Sequence, residues 1–250
     1  MQKTVAKAFQ LLDFMAGDKT WYGVSELSQG LDLYKSNIYQ LLSTCEHFGY
    51  VEQDSETKKY ALSMKFVEIA HKVRLRFKFH DVLGTLMREL SDETGELSYF
   101  AIPYHGEVLY LCGAFPKSAI SAKPVVGLTA PLYCNVMGKV ILAYSNENLL
   151  EDVLSKPMKA KSENTIVDKE KFILEIERVR LNGFAEDNME EEFGIKGLAV
   201  PVMTDENELF GALCLSGPSA RFTKDLYPDL VFRLKQTAQK ITSSGVHNIA

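Results

Sequence analysis

Apolar residues recur at helical spacing in the first part of the chain, in short blocks that turns separate. The first block covers residues 4–16 and ends at a Gly-Asp pair. The second begins near Ser25, whose hydroxyl is expected to cap the helix by accepting a backbone N–H, and ends after barely two turns at Gly30. Residues 30–33 then form a turn of the right length to lead into a third helix. This pattern predicts a helix-turn-helix unit.

The third helix has two faces of different character. Its apolar face is predicted to contain Ile38, Leu41, Leu42, Cys45 and Phe48. Its polar face contains Lys35, Ser36, Asn37, Gln40, Ser43 and Thr44. Small hydrogen-bonding side chains beside a lysine suit a recognition helix in the DNA major groove, where Asn and Gln can pair with adenine. An ordinary solvated helix face would show the same pattern, so the helix alone leaves both interpretations open.

Two short extended segments follow, and they flank a polar turn at residues 54–58. This arrangement predicts a β-hairpin with Lys58 and Lys59 close to its tip. Lysines there suit contacts with phosphate, which add affinity without base preference. Helix, turn, helix and hairpin in this order predict a winged helix-turn-helix DNA-binding domain over residues 1–62.

A helical pattern continues over residues 63–80. Within it, residues 72–79 alternate basic and apolar side chains, which taken alone would also fit a strand. Together with their flanks they favour a helix, so we expect a linker helix over residues 63–80. Its basic side chains are candidates for DNA contact, although a solvated surface is the simpler explanation.

The rest of the chain mixes strand and helix patterns. Predicted strands cover residues 97–103, 108–115, 184–188, 198–204 and 209–216. Predicted helices cover residues 81–95, 136–144, 169–182 and 224–243. Antiparallel strands with helices around them predict an α+β, GAF/PAS-like effector-binding domain over residues 81–250. Such a sheet usually leaves a pocket between its concave face and the loops that cross it.

Composition narrows the class of protein. The 250 residues, 46% of them hydrophobic, suit one small and one medium globular domain. The sequence has no apolar run near the roughly 20 residues of a membrane span and no signal-peptide pattern at its start, so we expect a cytoplasmic protein without membrane contact. Four scattered cysteines, without a C-x-x-C pair, predict reduced thiols and no metal site.

The charge is distributed unevenly along the chain. Residues 1–80 have a net charge of +2 and the remainder −7, within an overall charge of −5. A basic first domain on an acidic body is expected if only the first domain meets a polyanion. Because +2 is a small charge, two or more such domains are expected to bind DNA together.

Sequence motifs of the common enzyme classes are absent. The chain lacks G-x-S-x-G, H-E-x-x-H and a glycine-rich phosphate loop. An S-x-x-K pattern at residues 55–58 lies in the predicted hairpin tip, where no pocket would surround it. None of the five histidines stands at a ligand spacing from a cysteine or carboxylate. We therefore expect no catalytic residues, no enzyme activity and no cofactor.

Several segments together resemble one known family. They are the opening helix at residues 4–15 and the segments at residues 35–42, 131–140, 183–187 and 213–223. In this order and spacing, the chain resembles the IclR-type (isocitrate lyase regulator) transcription factors from end to end. The resemblance implies a winged-helix domain, a linker helix and an effector domain, assembled as homodimers or homotetramers. It also implies repression or activation controlled by a small organic acid.

The resemblance and the polar helix face together define a candidate DNA interface. Its residues are Ser25, Lys35, Ser36, Asn37, Tyr39, Gln40, Lys58 and Lys59. The family commonly has an arginine where this chain has Gln40, which removes a bidentate partner for guanine or phosphate. We therefore expect an operator that differs from those of better-known relatives.

The resemblance also implies an effector site. Carboxylate-binding members use backbone N–H groups at the start of the helix before the Gly-Lys pair, here Val136 and Met137, where small-acid binders carry Gly-Ala. Asp187 aligns with a pocket aspartate, Gly197 with a cysteine, and Cys214 and Ser216 with two serines. Because the side chains are bulkier and the hydroxyls fewer, glyoxylate is not expected. A larger effector, still a carboxylate but with an apolar or ring portion, is expected.

Simpler roles exist for some of these residues. A cysteine on a strand, such as Cys214, is more often a small core residue. Ser216 before Gly-Pro is also suited to cap a loop. Asp187 is also suited to pair with a basic side chain or to bind a backbone turn.

The sequence therefore predicts a transcriptional regulator, more often a repressor, whose partners are a double-stranded DNA operator and a small-molecule effector. The alternative is a ligand-independent DNA-binding protein. The large side chains of Val136 and Met137 would then fill the cavity, and the second domain would serve only oligomerisation.

Overall fold

The computed structural model describes residues 2–76, 79–116 and 125–245. The chain divides into two compact units, Met1–Arg76 and Phe77–Ala250. The elements of the first unit are α1 (Lys3–Met15), α2 (Val24–Gly30), α3 (Lys35–His47), β1 (Val51–Gln53), β2 (Tyr60–Leu62) and α4 (Lys65–Arg76).

One apolar core holds the first three helices and the hairpin together. It contains Leu11, Met15, Tyr22, Leu27, Ile38, Leu41, Leu42, Cys45, Val51 and Tyr60. These residues come from the helical stripes of α1, α2 and α3, from the inner positions of the two strands and, for Tyr22, from the segment before α2. A backbone bridge between Tyr22 and Tyr60, with both N–H···O distances at 2.9 Å, joins the segment before α2 to the hairpin. The predicted winged helix-turn-helix is thereby confirmed.

Two details of this unit differ from the prediction. Gly23, and not Ser25, is the N-cap of α2, and the carboxylate of Glu26 accepts its backbone N–H at 2.7 Å. An acidic residue at the third helical position supplies this bond, so the helix begins before Ser25. Phe48 is 64% exposed and not part of the apolar stripe, because α3 ends at His47 and the chain turns away at Gly49.

The second unit is built on an antiparallel sheet. Its elements are α5 (Phe79–Thr94), β3 (Leu97–Tyr104), β4 (Glu107–Ala114), β5 (Thr129–Pro131), α6 (Val136–Tyr144), α7 (Glu147–Ser155), α8 (Lys169–Asn182), β6 (Ala185–Asn188), β7 (Ile195–Met203), β8 (Leu209–Pro218) and α9 (Tyr227–Ser243). The strand order is β5-β4-β3-β8-β7-β6. This arrangement confirms the predicted α+β class.

Both faces of the sheet are covered by helices, because side chains of alternate strand residues point to opposite faces. The core with α5 and α9 contains Leu83, Met87, Leu90, Phe100, Leu198, Val200, Leu213, Leu215, Leu230 and Leu234. The core with α6 and α8 contains Tyr99, Ala101, Val140, Ile141, Phe172, Ile176, Ala199, Ala212 and Cys214. The candidate effector residues belong to the second of these faces.

Most predicted element ends lie within two residues of the observed ones. The linker helix predicted over residues 63–80 corresponds to α4, which ends at Arg76, and α5 already begins at Phe79. Strand β7 begins at Ile195, three residues before the predicted start at 198. The helices predicted over residues 136–144 and 169–182 are confirmed at both ends. Helix α9 begins at Tyr227, three residues after the predicted start at 224, with Pro228 in its first turn, where proline needs no N–H partner. Strand β5 and helix α7 were not predicted.

Helix α6 packs unusually close to the segment before it. A Cβ built at Gly138 would lie 2.2 Å from the carbonyl oxygen of Leu132. Only a glycine allows this approach between backbone and helix.

The next residue, Lys139, is a buried cation. Its side chain is 1% exposed, and Nζ lies 2.6 Å from Glu190 Oε1 and 3.2 Å from Glu175 Oε1. Nζ also donates to the carbonyl oxygen of Glu186 at 2.8 Å. These three bonds use all three N–H groups of the ammonium and join α6 to α8, β6 and the segment after β6.

We expect Gly138→Ala to lower the free energy of unfolding by about 1–3 kcal/mol or more, because the added methyl group meets backbone atoms. Gly84→Ala is the matched control, since a Cβ at that helical glycine meets nothing within 4 Å. It should raise stability by about 0.5–1 kcal/mol. Thermal unfolding of both variants tests this, and equal effects of the two would contradict the packing described for α6.

We expect Lys139→Met to lower the free energy of unfolding by about 3–5 kcal/mol, because it leaves buried carboxylates without their cation. Lys240→Met is the control. Its ammonium lies 3.9 Å from Glu89, with side chains 55% and 54% exposed, so a change below about 1 kcal/mol is expected. Urea unfolding at pH 7 measures both. A Lys139→Met protein as stable as the control would show that the buried cluster contributes nothing.

Candidate nucleic-acid interface and effector site

Helix α3 presents a polar face to solvent. Lys35, Ser36, Tyr39 and Gln40 are exposed, while Asn37 is half-buried. The backbone N–H of Asn37 donates to the carbonyl oxygen of Tyr34 at 2.9 Å, which closes the first turn of the helix. The exposed side chains lie at helical positions 1, 2, 5 and 6, so they share one side of α3.

Tyr34 lies directly before this polar face and was not among the predicted DNA-contact residues. It is the N-cap residue of α3, and its side chain is 82% exposed. This exposed aromatic side chain therefore lies at the start of the polar face of α3. Its position in the sequence, directly before the polar start of α3, could have indicated it as a candidate for DNA contact. Ser25 is also exposed, at the second helical position of α2.

The hairpin tip is held by local hydrogen bonds. Asp54 Oδ1 accepts from both the backbone N–H and the hydroxyl of Thr57, each at 2.6 Å, and these bonds lower the pKa of Asp54. Lys58 has a φ of +57°, the left-handed conformation that a tight turn requires. The side chains of Lys58 and Lys59 are both exposed. The tip thus holds two lysines on a fixed turn.

Three candidate effector residues lie in one row across the sheet. Asp187 on β6 pairs with Gly197 on β7, and Gly197 pairs with Ser216 on β8. A Cβ at Gly197 would lie 3.5 Å from Val136 Cγ1 and 3.8 Å from Asp187 Cβ. The structure therefore brings Val136, Asp187, Gly197 and Ser216 together, beside the start of α6.

The other two candidates are deeper. Met137 is 1% exposed and Cys214 is 2% exposed, and both belong to the core between the sheet and α6. Burial raises the pKa of the Cys214 thiol well above its usual value. Cys214 pairs across the strands with Ala199 and Tyr99.

Asn135 is the N-cap of α6 and connects the site. Its Oδ1 accepts from Met137 N at 3.0 Å and from Gly138 N at 3.4 Å. Its Nδ2 donates to the hydroxyl of Tyr110 at 2.6 Å and to Glu191 Oε2 at 2.8 Å. The side chain of Asn135 therefore occupies the N–H group of Met137, one of the two that were predicted to bind an effector carboxylate, together with that of Gly138.

Burial dominates the electrostatics of this site. It raises the pKa of Asp187 to about 7, although the N–H of Glu190 donates to Asp187 Oδ1 at 2.7 Å and opposes the shift. Nearby negative charge on Glu190 and Glu191 adds to the increase. Burial also raises the pKa of Glu191. Asp187 is therefore present in protonated and ionised forms near neutral pH.

Sequence reasoning missed four of these partners: Tyr110, Asn135, Glu190 and Glu191. An asparagine before an apolar helix was a recognisable N-cap signal. The two glutamates had no signal, because their contacts with α6 span more than fifty residues of sequence.

The described residues hold neither a metal-binding cluster nor a membrane-spanning helix. No group of three or more His, Cys, Asp or Glu within residues 2–76, 79–116 and 125–245 could hold a metal ion. In the same part of the chain, no helix is both long enough and apolar enough to cross a membrane.

Comparisons with known proteins identify both units. Residues 4–55 match the family model of the IclR helix-turn-helix domain. Residues 71–243 match the model of the bacterial transcriptional regulator IclR C-terminal domain.

Individual proteins agree with the family models. The chain is 30% identical to the HTH-type transcriptional regulator KdgR of Escherichia coli (strain K12), over 98% of this chain and 94% of that protein. It is 24% identical to the HTH-type transcriptional repressor AllR of the same strain, over 97% and 90%. A crystal structure of an IclR homolog from Microbacterium hydrocarbonoxydans, complexed with 4-hydroxybenzoate, has the same fold, with a TM-score of 0.84 at 22% identity over 96% and 98% of the chains. Because a family model covers more than half of the sequence and KdgR matches nearly all of it, the chain belongs to the IclR family of bacterial transcriptional regulators.

Proposed function

We propose that this protein controls transcription by binding a double-stranded operator through α3 and the hairpin tip, in response to a small-molecule effector bound beside the start of α6. The family assignment makes the chain a DNA-binding regulator and not an enzyme. The observation that supports the DNA interface most directly is the exposed polar face of α3 next to a lysine-bearing hairpin.

The two parts of the interface have different roles in this proposal. Tyr39 and Gln40 point away from the core on α3 and reach base edges in the major groove. Lys35, Lys58 and Lys59 contact phosphates, which position the protein without choosing a sequence. Ser25, Ser36 and the half-buried Asn37 contribute hydrogen bonds at the edge of the same surface.

Charge favours binding as an oligomer. A net charge of +2 over residues 1–80 supplies little attraction to DNA for one copy. Two linked copies gain affinity because the second binding event is intramolecular. We therefore propose a homodimer or homotetramer on the operator.

Repression is the proposed direction of control. The relative AllR is named a transcriptional repressor, and the match covers 97% of this chain. A repressor of this design occupies its operator until the effector shifts the protein to a form that binds DNA more weakly.

A ligand-independent regulator is the second candidate function. Val136 and Met137, the first two residues of α6, are 6% and 1% exposed and belong to the core between α6 and the sheet. If these side chains fill the effector cavity, the second unit serves only assembly.

We expect Gln40→Ala to change base preference at one operator position by about 1–3 kcal/mol, because a base-edge contact is lost. Lys58→Ala should weaken binding to all duplexes alike and lower the salt slope by about one unit. Fluorescence anisotropy on duplexes selected from a random library by the full-length protein measures both effects. Lys169→Ala, an exposed lysine of the second unit, is the control. Equal weakening of every duplex by Gln40→Ala would remove its base-reading role.

We expect the small-molecule fraction of a cell extract to reduce operator affinity by about 5- to 150-fold, the range of typical allosteric coupling. The same extract after removal of small molecules is the control. Affinity that stays constant with both fractions would favour the ligand-independent alternative.

A further inference from the structure

Helix α8 carries apolar side chains on two opposite sides. Phe172, Ile176 and Val179 are buried in the core that α8 shares with α6. On the other side, Leu174 is 63% exposed and Leu181 is 87% exposed. With about 3.6 residues per turn, positions seven apart differ by only about 20° around the helix. The two leucines therefore form one stripe that points away from the core.

Opposite charges lie between these leucines on the same side of α8. Glu177 and Arg178 are both exposed. Arg178 is held by Glu175 of its own helix, with Nε 3.0 Å from Oε2 and Nη2 3.1 Å from Oε1. These bonds use two of the five N–H groups of the guanidinium, so it can also bind a second carboxylate.

The packing of α8 does not explain its exposed leucines. The side of a helix that faces away from the core usually carries polar residues. Helix α8 is already held by its buried face and by the bond from Lys139 to Glu175. A single exposed leucine would need no explanation. Two leucines one heptad apart, with opposite charges beside them, are instead the pattern of a helix–helix contact.

The exposed side of α8 is complementary to itself. A two-fold axis brings the same surface of two copies together, so each contact between two positions occurs twice. An axis that crosses α8 between Glu177 and Arg178 makes the two helices antiparallel. Leu174 then faces Leu181 of the second copy, and Glu177 faces Arg178. Both the apolar positions and the charges match in this arrangement.

We infer that α8 pairs antiparallel with α8 of a second copy of this chain, through its two exposed leucines and the charges between them. The inference rests on the proposed function, because it names a surface that joins copies within the homo-oligomer proposed there.

The size of the stripe indicates when this pairing forms. A helix of 14 residues is about 21 Å long. Stable interfaces bury about 800 Å² on each partner, from roughly 20–30 residues, and one side of α8 supplies far fewer. The pairing therefore acts between copies that another contact or the operator already holds close, where the effective concentration is high.

Engineered disulfides test the antiparallel arrangement. All four native cysteines are buried, so new thiols on α8 are the exposed ones. A chain with both Leu174→Cys and Leu181→Cys should form covalent dimers on mild oxidation, with and without operator duplexes selected from a random library. In either single variant the two thiols lie about 10 Å apart along the helix axis, beyond the reach of a disulfide. Each single variant should therefore give less than about a tenth of that dimer.

Charge substitutions test the contact itself. Leu181→Glu should halve the number of copies in the assembly on operator DNA, measured by sedimentation velocity, because a carboxylate would face Leu174. Glu177→Arg should act in the same direction, because two arginines would then face each other. Phe232→Glu, at a 58% exposed position of α9, and Glu206→Arg, in the turn between β7 and β8, are the matched controls. Thermal unfolding shows that each variant is folded.

The outcomes separate this contact from the proposed function. An assembly of unchanged size with Leu181→Glu, or an equal loss of copies with Phe232→Glu, would overturn the pairing. Single cysteine variants that crosslink as readily as the double variant would overturn the antiparallel arrangement. Either result leaves the proposed function intact if the unaltered protein binds its operator and responds to the small-molecule fraction. Crosslinking of the double variant, without operator binding by the unaltered protein, would support the pairing and contradict the proposed function.

Discussion

The buried ammonium of Lys139 is the interaction on which the second unit depends. It holds α6 against α8 and against the segment that follows β6, with bonds of 2.6–3.2 Å to three acceptors. A buried charge persists only when its partners are correctly placed, so the cluster requires one arrangement of these elements. Asn135, Asp187 and Glu191 all belong to elements that this cluster positions.

Much of the fold was predictable from local patterns. Alternation along 209–216 sends Leu213 and Leu215 to one face and Cys214 to the other, and the structure places them in two separate cores. The turn at His105 and Gly106, with φ of +48° and +81°, has the conformation that a tight hairpin favours. Such periodicity predicts structure well because one face of each helix or strand must be buried, which restricts that face to apolar residues.

Other features of the structure could not be predicted from local sequence patterns. Strand β5 has only three residues, too few for periodicity to distinguish it from a loop. The sequence offers several polar residues near the start of α2, and it does not show which of them caps the helix. In the structure the carboxylate of Glu26 accepts the backbone N–H of Gly23. In the candidate effector site, the family resemblance named Asp187, Gly197 and Ser216, but their row across three strands and the bond between Asn135 and Glu191 require tertiary structure.

The cap of α6 also bears on what the candidate effector site can bind. In this chain the N–H groups of Met137 and Gly138 are covered by the side chain of Asn135. Helix α6 starts directly after this cap. Replacing Asn135 with a residue that has no side-chain acceptor would free these two N–H groups while Glu191 stayed beside them, so the helix end would offer both donors and a carboxylate without any change in the DNA-binding domain.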